Sequence, residues 1–508
     1  MYLNRLQRYV PLACWIVAVF TLVLIPMKIL SEGYLPIDDA LRHAGKVVSG
    51  KPWSEILVMR PWITMDPHPG WHALLGVEYH MTNCSAETLV VTEVFGGMAL
   101  VLLVVLPFFR RPEAWLMALL ALTVATPAVV ERLALGRPFL FTMAASMTML
   151  LIWSKTGPRP GWGTNLSTLC LVGACAWIHG GFYQLILPAL GLMLATRYRQ
   201  AVWYGVDWLV GSFAGSALTG HPLRFLFQSV RFLVAALGEH SFGHELVLEF
   251  RPTDGVCMIL LVVIAVLVWR SRSPDWKPAQ LLEPVFMTGV VGWVLGLANG
   301  RFWSEWGLPA TLLWMALQFQ AQLQSRVSFD SVQRLLLTVG AGMSFFLITA
   351  ADHGMRWTQS LRHDHISADD PKLACWMPGK DGIIYNADMG AFYDTFYTNP
   401  NASWRYILGF EPTMMPLDDL QVWHKILWDP GNFEAYKPWV KKMGPNDRLF
   451  ITWNNGGTPP IRELEWTLAG RYTWIGRTPV ETNAPSSASK SKPEGMDPHS
   501  VVKSPETK

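Results

Sequence analysis

The sequence predicts an α-helical polytopic membrane protein with about eleven transmembrane helices and a small C-terminal extracytoplasmic α/β domain. The first observation behind this fold class is composition. Hydrophobic residues make up 51% of the 508 residues and charged residues only 16%, whereas a soluble protein carries about 25% charge. The second is a series of apolar stretches, each close to the roughly 20 residues that a helix needs to cross a bilayer.

The apolar stretches occupy most of the first 350 residues. The first is too long for the core of a signal peptide, and no small-residue cleavage site follows it, so we expect it to be a retained spanning helix. The two stretches on either side of His179 are the shortest. The predicted spans are 10–30, 89–109, 115–131, 138–154, 166–178, 182–196, 201–219, 255–270, 284–298, 307–323 and 333–350.

Positive charges alternate between the connections that join these spans. With the N-terminus in the cytoplasm, every inner connection carries at least two Lys or Arg residues, as the positive-inside rule requires. This topology places the C-terminal part outside a plasma or inner membrane. The inner basic residues are Arg5, Arg8, Arg110, Arg111, Lys155, Arg159, Arg197, Arg199, Arg270, Arg272, Lys277, Arg326 and Arg334.

The same topology predicts a domain organisation. Residues 1–351 form the transmembrane domain, 352–480 an extracytoplasmic α/β domain, and 481–508 a tail rich in Ser, Pro and Lys that we expect to be disordered. Two outer loops are long, 31–88 and 220–254. The apolar middle of the second loop, with Arg224 and Arg231 seven residues apart on one face, predicts an interfacial helix; a re-entrant segment is the alternative.

The C-terminal domain is predicted from alternating patterns. The segments "GIIYNA", "WRYILGF", "RLFITW" and "YTWIGRTPV" are typical of short strands. Between them, "LDDLQVWHKILW", "NFEAYKPWVKKM" and "IRELEWTLA" have helical spacing. Alternation of strands and helices predicts a small α/β domain.

The first outer loop opens with two adjacent acids, Asp38 and Asp39, in "YLPIDDALRHAGKVVSGKPW". Helix capping explains such a pair, because acids are favourable at a helix start. Further along the loop, "DPHPGWH" adds Asp66 and His68 near the same membrane face. No spacing typical of a metal site, such as HExxH, is present.

Three other outer connections carry candidate binding residues. "ERLALGRPFLF" contains Arg132 and Arg137 on the side that the positive-inside rule disfavours; an ion pair with snorkelling arginines is one explanation, and an anion-binding corner for a lipid phosphate is the other. "WIHGGFYQ" offers His179 at a helix-ending turn. "NGRFWSEWG" offers Arg301 among tryptophans that are typical of a membrane interface.

These segments together resemble the GT-C superfamily of glycosyltransferases, which use lipid-phosphate-linked sugars. "DPHPGWHALLG" is similar to the "HPPLG…L" stretch of protein O-mannosyltransferases and to the "KPPL" of aminoarabinose transferases. "ERLALGRPFLFTMAASM" resembles their next outer turn, where Arg-x-x-x-Leu-Asp-x-x-Leu is common. Gly136 and Arg137 stand here where the family often has an acid. The resemblance covers about residues 10–155.

The resemblance implies transfer of a sugar from a polyprenyl-phosphate-linked donor to a glycan, lipid or protein acceptor on the extracytoplasmic face. Such a transfer needs a cation to hold the leaving phosphate and a carboxylate to take the proton of the acceptor. Asp38 and Asp39 are the predicted catalytic residues, and the family position favours Asp38. The predicted substrate-binding residues are Asp66, His68, Arg132, Arg137, His179, Arg224, Arg231 and Arg301.

Two other classes of protein compete with this interpretation. A transporter or flippase for a lipid-linked glycan would need ionisable residues within its spans, where Glu93, Asp207 and Glu283 are the few acids. A non-catalytic membrane scaffold is the third class. The net charge of +3 gives no indication of a nucleic-acid partner. No cofactor is indicated with certainty, a divalent cation stays open, and Cys84 and Cys375 are either a disulfide or two free thiols.

Overall fold

The computed structural model describes residues 7–238, 256–363, 365–454 and 456–479. Over these ranges the chain is mainly helical, and a small five-stranded sheet follows the last long helix. Three of the described helices are long and apolar enough to cross a membrane: Val10–Ser31, Ala86–Phe108 and Val332–Ala350. The first would be about 33 Å long at 1.5 Å per residue, close to the thickness of a hydrocarbon core.

A helix occupies each of the eleven apolar segments. Several are shorter than a span requires, for example Pro284–Gly296. The eleven helices are Val10–Ser31, Ala86–Leu103, Pro112–Ala125, Phe139–Lys155, Trp162–His179, Leu187–Leu194, Tyr198–Ala217, Val256–Ser271, Pro284–Gly296, Leu308–Arg326 and Val332–Ala350.

The helix Val10–Ser31 shows why the bundle is compatible with a lipid environment. It buries Cys14, Ala18 and Leu22 on one side, while Ile16 and Phe20 on the other side are about 60% exposed. A helix that is apolar all round has no face suited to water. The outer surface of the bundle is therefore suited to lipid.

Close packing inside the bundle depends on small residues. Trp162–His179 crosses Tyr198–Ala217 where Gly215 meets Gly173: a Cβ at Gly215 would lie 2.0 Å from the Gly173 carbonyl oxygen. Small residues at such crossings are typical of helices packed in membranes.

The first outer loop is itself mostly helical. It contains Asp39–Ser49, which we name the loop helix, the single turn Trp53–Ile56, and Pro69–Thr82. The predicted cap is confirmed, because Asp38 Oδ1 accepts a hydrogen bond from the Asp39 N–H over 2.5 Å. Gly50 ends the loop helix in the left-handed conformation, at φ 63°.

The second outer loop also begins as predicted, with the helix Pro222–Gly238, which we name the lateral helix. Its buried Gln228 accepts hydrogen bonds from the N–H groups of Thr64 and Met65 and donates one to the Met65 carbonyl. These bonds join the lateral helix to the first loop. The rest of the second loop lies outside the described residues.

The C-terminal sheet has the strand order β2-β1-β3-β5-β4. Strand β1 pairs in parallel with β2 and β3, and β5 pairs antiparallel with β3 and β4. All four predicted strand segments contain one of these strands. The bounds are β1 Ile383–Asn386, β2 Arg405–Tyr406, β3 Arg448–Thr452, β4 Glu465–Leu468 and β5 Thr473–Arg477.

The predicted helices of this domain had mixed outcomes. Leu417–Trp428 is the expected helix, and the second segment forms the 3-10 turn Phe433–Tyr436 followed by the helix Lys437–Lys442. The helical prediction for "IRELEWTLA" was wrong, because Glu465–Leu468 is strand β4. Its pairing with β5 is a tertiary contact that overrides local helical spacing. The helix Met389–Thr398, which we name the domain helix, was not predicted.

The C-terminal domain is joined to the first outer loop. Leu57 forms a β-bridge with Tyr406, the last residue of β2. The Val58 N–H donates to the Tyr406 carbonyl over 2.9 Å. The domain helix packs on the loop helix, where a Cβ at Gly45 would lie 3.2 Å from the Phe396 ring. Residues 480–508, which include the predicted tail, lie outside the described residues.

The sequence allowed Cys84 and Cys375 to be either a disulfide or two free thiols, and the structure shows that both are free thiols. Cys84 packs against the core shared by the first loop and the domain, whereas Cys375 is exposed. The joint between loop and domain is therefore made by sheet pairing and apolar packing instead.

Candidate functional site

A cavity of about 200 Å³ lies where the connections predicted to be outer meet the C-terminal domain. Its wall draws on the first loop, the lateral helix, three short connections between bundle helices, and residues 410–414 of the domain. Five predicted site residues line it: Asp39, His68, Arg137, His179 and Arg301.

The two acids of the first loop meet Arg137 at this cavity. Arg137 Nη2 donates to both oxygens of Asp38, over 2.5 and 2.6 Å, and Nε donates to Asp38 Oδ1 over 3.1 Å. Asp38 thus holds the guanidinium, while Asp39 lines the cavity with its Oδ2 3.5 Å from Arg137 Nε.

Gly136 explains how Arg137 reaches this position. Its φ of 66° is left-handed, and a Cβ would lie 3.1 Å from a Val94 methyl group and 3.2 Å from the Val94 backbone nitrogen. Only glycine adopts such a turn without strain. The backbone then enters the helix Phe139–Lys155 with Arg137 just ahead of it.

Arg42 is a candidate site residue that sequence reasoning missed. It lies one turn after Asp39 on the loop helix, and its Nε donates to Asp39 Oδ1 over 2.7 Å. Its guanidinium stacks 3.8 Å from the centre of the Phe410 ring in the domain. Arg42 Nη1 is buried and has no hydrogen-bond partner among the described residues. The three-residue spacing from Asp39 was the available signal.

Asp38 and Asp39 have different pKa values because their environments differ. Burial and the charge of Asp39 raise the pKa of Asp38 despite its contact with Arg137. Burial also disfavours ionised Asp39, yet the charges of Arg42 and Arg137 outweigh it and hold the pKa of Asp39 below its ordinary value. Asp39 is therefore the stronger acid of the pair and is ionised at pH 7.

His68 and His179 meet face to face in the cavity wall. Their ring centres are 5.6 Å apart with an angle of 7° between the planes, and His179 Nδ1 lies 3.2 Å from Thr142 Oγ1. Gly180 permits this approach, because a Cβ there would lie 2.6 Å from the Pro67 carbonyl oxygen. The glycine turn thus ends the helix and also seats the first loop against it.

Asp66 is not among the residues that line the cavity, but it contacts His68, which is. Its Oδ1 accepts from the His68 N–H over 2.9 Å, and its Oδ2 lies 2.6 Å from His72 Nδ1. His72 Nε2 in turn lies 2.8 Å from His43 Nδ1. Burial lowers the pKa of His43, His68 and His72, so all three are neutral at pH 7. Asp66 therefore sets the tautomers of a neutral histidine chain behind the site.

Arg301 and Glu305 both line the cavity, and Glu305 is paired with Arg132. The Arg301 N–H donates to Asn299 Oδ1 over 3.0 Å. Arg132 Nη2 donates to Glu305 Oε1 over 2.9 Å. Arg132 itself lines a second cavity, of about 380 Å³. The pair Arg132–Glu305 therefore links the two cavities.

The second cavity has a different chemistry. Its wall is mainly aliphatic and aromatic, with Met98, Leu119 and Trp303 among its residues, and it extends among the helices of the bundle. Such a surface favours a hydrocarbon chain. A polar cavity and an apolar cavity are thus neighbours, with one ion pair between them.

Arg224 and Arg231 differ from the prediction, since neither is among the residues that line the polar cavity. Both are exposed on the lateral helix, and Arg231 stacks 4.3 Å from the Trp62 ring. Ser229, Phe232 and Leu233 of the same helix line the cavity instead. Helical geometry explains this, because residues seven apart share one face and here that face points away from the site.

No protein-family model matches this chain, and no curated protein matches it in sequence. The functional argument therefore rests on the geometry of the two cavities and their side chains.

Proposed function

We propose that this protein is a membrane glycosyltransferase of the GT-C type that moves a sugar from a polyprenyl-phosphate-linked donor to an acceptor outside the membrane. One observation supports this most: the ionised Asp39 and three arginines, Arg42, Arg137 and Arg301, border one cavity beside an apolar one. A lipid phosphate sugar has the matching three parts, which are an apolar chain, an anionic phosphate and a polar sugar.

In the proposed reaction, Asp39, the arginines and Asp38 have separate roles. An acceptor hydroxyl attacks the anomeric carbon, the bond from that carbon to the phosphate oxygen breaks, and the hydroxyl proton passes to Asp39. The arginines stabilise the charge that develops on the departing phosphate. Asp38 is a positioning residue in this scheme, because its carboxylate holds Arg137. The base is therefore assigned to Asp39, although the family position favours Asp38.

Unsatisfied polar atoms support a ligand at this place. Arg42 Nη1 and His68 Nδ1 are buried without hydrogen-bond partners among the described residues, and both side chains line the cavity. A buried donor or acceptor left unpaired costs about 1–3 kcal/mol. A phosphate and a sugar hydroxyl are groups that would satisfy them.

The lipid chain of the donor is assigned to the apolar cavity, with the pair Arg132–Glu305 at its junction with the polar one. The acceptor approaches from the side of residues 410–414, where Phe410 and Glu411 belong to the wall. In this proposal all eleven apolar helices span the membrane, the N-terminus is cytoplasmic, and the domain lies outside. All six wall segments come from connections assigned to the outer face, which supports that sidedness.

The test uses the full-length protein in proteoliposomes with polyprenyl-phosphate monosaccharides, a hexose series and a pentose series, each combined with glycan, lipid and peptide acceptors. Mass spectrometry measures the released polyprenyl phosphate. We expect release with at least one donor, and its loss in Asp39→Asn and Arg137→Gln, while Arg231→Gln serves as the matched surface control. A fluorescent donor that crosses the bilayer without bond cleavage would instead favour a flippase and refute transfer.

A further inference from the structure

We infer that the C-terminal domain contains a site for one zinc ion, formed by His363, His365 and Asp394. The donor atoms of these three side chains all lie within 4.8 Å of one another. The site belongs to the domain, not to the cavity wall, and the inference does not depend on the transfer reaction.

The three donor atoms are close enough to one another to bind one metal ion. His363 Nε2 lies 3.2 Å from Asp394 Oδ1, and His365 Nδ1 contacts the same oxygen. Two ligands with bonds of about 2.0–2.1 Å at a tetrahedral angle lie about 3.3 Å apart. The His363 side chain is partly exposed and already lies beside the Asp394 carboxylate, so a metal ion could bind between these groups with a small adjustment of the side chains.

The surroundings fix the carboxylate and leave the ion accessible. Asp394 is 4% exposed, and its Oδ2 accepts from the Ile366 N–H over 3.3 Å, which orients the group. The side chains of His363 and His365 are 30% and 36% exposed, so water can reach the remaining coordination position. Two imidazoles and a carboxylate favour zinc over magnesium, which prefers oxygen ligands.

The position of the cluster gives the ion a role. His363 and His365 follow the last long helix, Val332–Ala350, whereas Asp394 belongs to the domain helix. Phe392 and Phe396 of the domain helix pack in one core with Ala40 and Leu41 of the loop helix. A bound ion would therefore fasten the chain that leaves the bundle to the helix that supports Asp39.

The test uses full-length protein purified in detergent with a tag that lacks histidine and treated with EDTA. Calorimetry with Zn²⁺ is expected to show one equivalent bound, and the thermal unfolding midpoint to rise by about 3 °C or more. Mg²⁺ is expected to produce neither effect. X-ray absorption at the zinc edge should show nitrogen and oxygen ligands without sulfur.

The double variant His363→Gln/His365→Gln should lose both the binding and the rise in midpoint. His353→Gln, a change at an exposed histidine nearby, is the matched control and should keep both. Circular dichroism without zinc checks that the double variant folds. The proposal is overturned if the wild-type protein binds no zinc, or if the double variant still binds it, which would assign the ion to other histidines.

Discussion

Two clusters of arginine and carboxylate, Arg334 with Glu113 and Arg137 with Asp38, differ in what surrounds them. At the first, Arg334 donates to both oxygens of Glu113 over 2.6 and 3.1 Å, and both side chains are fully buried. At the second, Arg137 holds Asp38 in the wall of a cavity. The residue types are the same, but only the second cluster borders open space.

The remaining bonds explain the difference. Arg334 also donates to the carbonyls of Phe329 and Arg110, so its guanidinium is used to tie two connections together. Near Arg137, the second acid and Arg42 add charges that face the cavity. We call Arg334 and Glu113 the closed cluster, because their bonds are all within the protein and stabilise the bundle. We call Arg137 and Asp38, with Asp39 and Arg42, the open cluster, because its charged groups can also bind a ligand.

The largest expected effect is on catalysis at the open cluster. Asp39→Asn removes the proposed base but keeps the shape of the side chain, so sugar transfer should fall about 10²- to 10⁴-fold. The measurement is the initial rate of polyprenyl phosphate release, with a thermal unfolding midpoint as the folding control. More than a tenth of the wild-type rate would remove Asp39 from the role of base.

The closed cluster should respond in stability rather than in activity. Glu113→Leu leaves Arg334 buried without its counter-charge and should cost about 3–5 kcal/mol of unfolding free energy. Adding Arg334→Met should recover part of that loss, because an apolar pair replaces the Glu113–Arg334 ion pair while the buried Arg111, 3.4 Å from Glu113 Oε1, still loses its counter-charge. Denaturant titration in detergent measures both. A wild-type midpoint in the single variant would contradict the structural role.

The histidine chain behind the open cluster predicts a pH dependence. Burial lowers the pKa of His43, His68 and His72 below 6.5, so the unfolded chain takes up protons first as the pH falls. Their contribution to stability is present above about pH 6.5 and is lost progressively as the pH falls below that value, because the unfolded rings then take up protons that the buried rings do not.

Thermal unfolding between pH 7.5 and 5.5 tests this expectation. The Asp38→Asn background is used, because the raised pKa of Asp38 contributes with the opposite sign. In that background His43→Gln should make the pH profile less steep, while the contributions of His68 and His72 remain. An unchanged profile would mean that His43 is not a neutral buried group.

A smaller effect is expected at Asp38 itself. Asp38→Asn removes the charge that holds Arg137 in position and leaves Asp39 in place. We therefore expect KM for the donor to rise about tenfold, with a smaller change in kcat. Steady-state kinetics separates the two parameters. A loss of kcat as large as that of Asp39→Asn would instead assign the base to Asp38.

The smallest effect is expected on the lateral helix. Arg224→Gln/Arg231→Gln changes two exposed side chains outside the cavity wall, and such surface changes are worth about 0.5 kcal/mol or less. Transfer should therefore change by less than about twofold at constant lipid composition. A larger loss of transfer would indicate that Arg224 or Arg231 binds the lipid phosphate after all.

Local patterns were enough to predict the helices of the bundle and most of the sheet. Apolar stretches of the right length, the cap at Asp38 and the β-rich segments depend on residues close in sequence. The same is true of the acids and arginines in the outer connections, which were named from charge and position. The failure at Glu465–Leu468 shows the limit, because its strand exists only through pairing with β5.

What the sequence by itself determined is therefore the inventory: apolar helices, a small sheet, and reactive side chains concentrated in a few connections. The tertiary structure decided which of these meet. It brought Arg137 to Asp38 from 99 residues away, placed Phe410 against Arg42, and turned Arg224 and Arg231 away. The physical reason is that helix formation depends on local backbone bonds, whereas a cavity depends on how several distant elements pack.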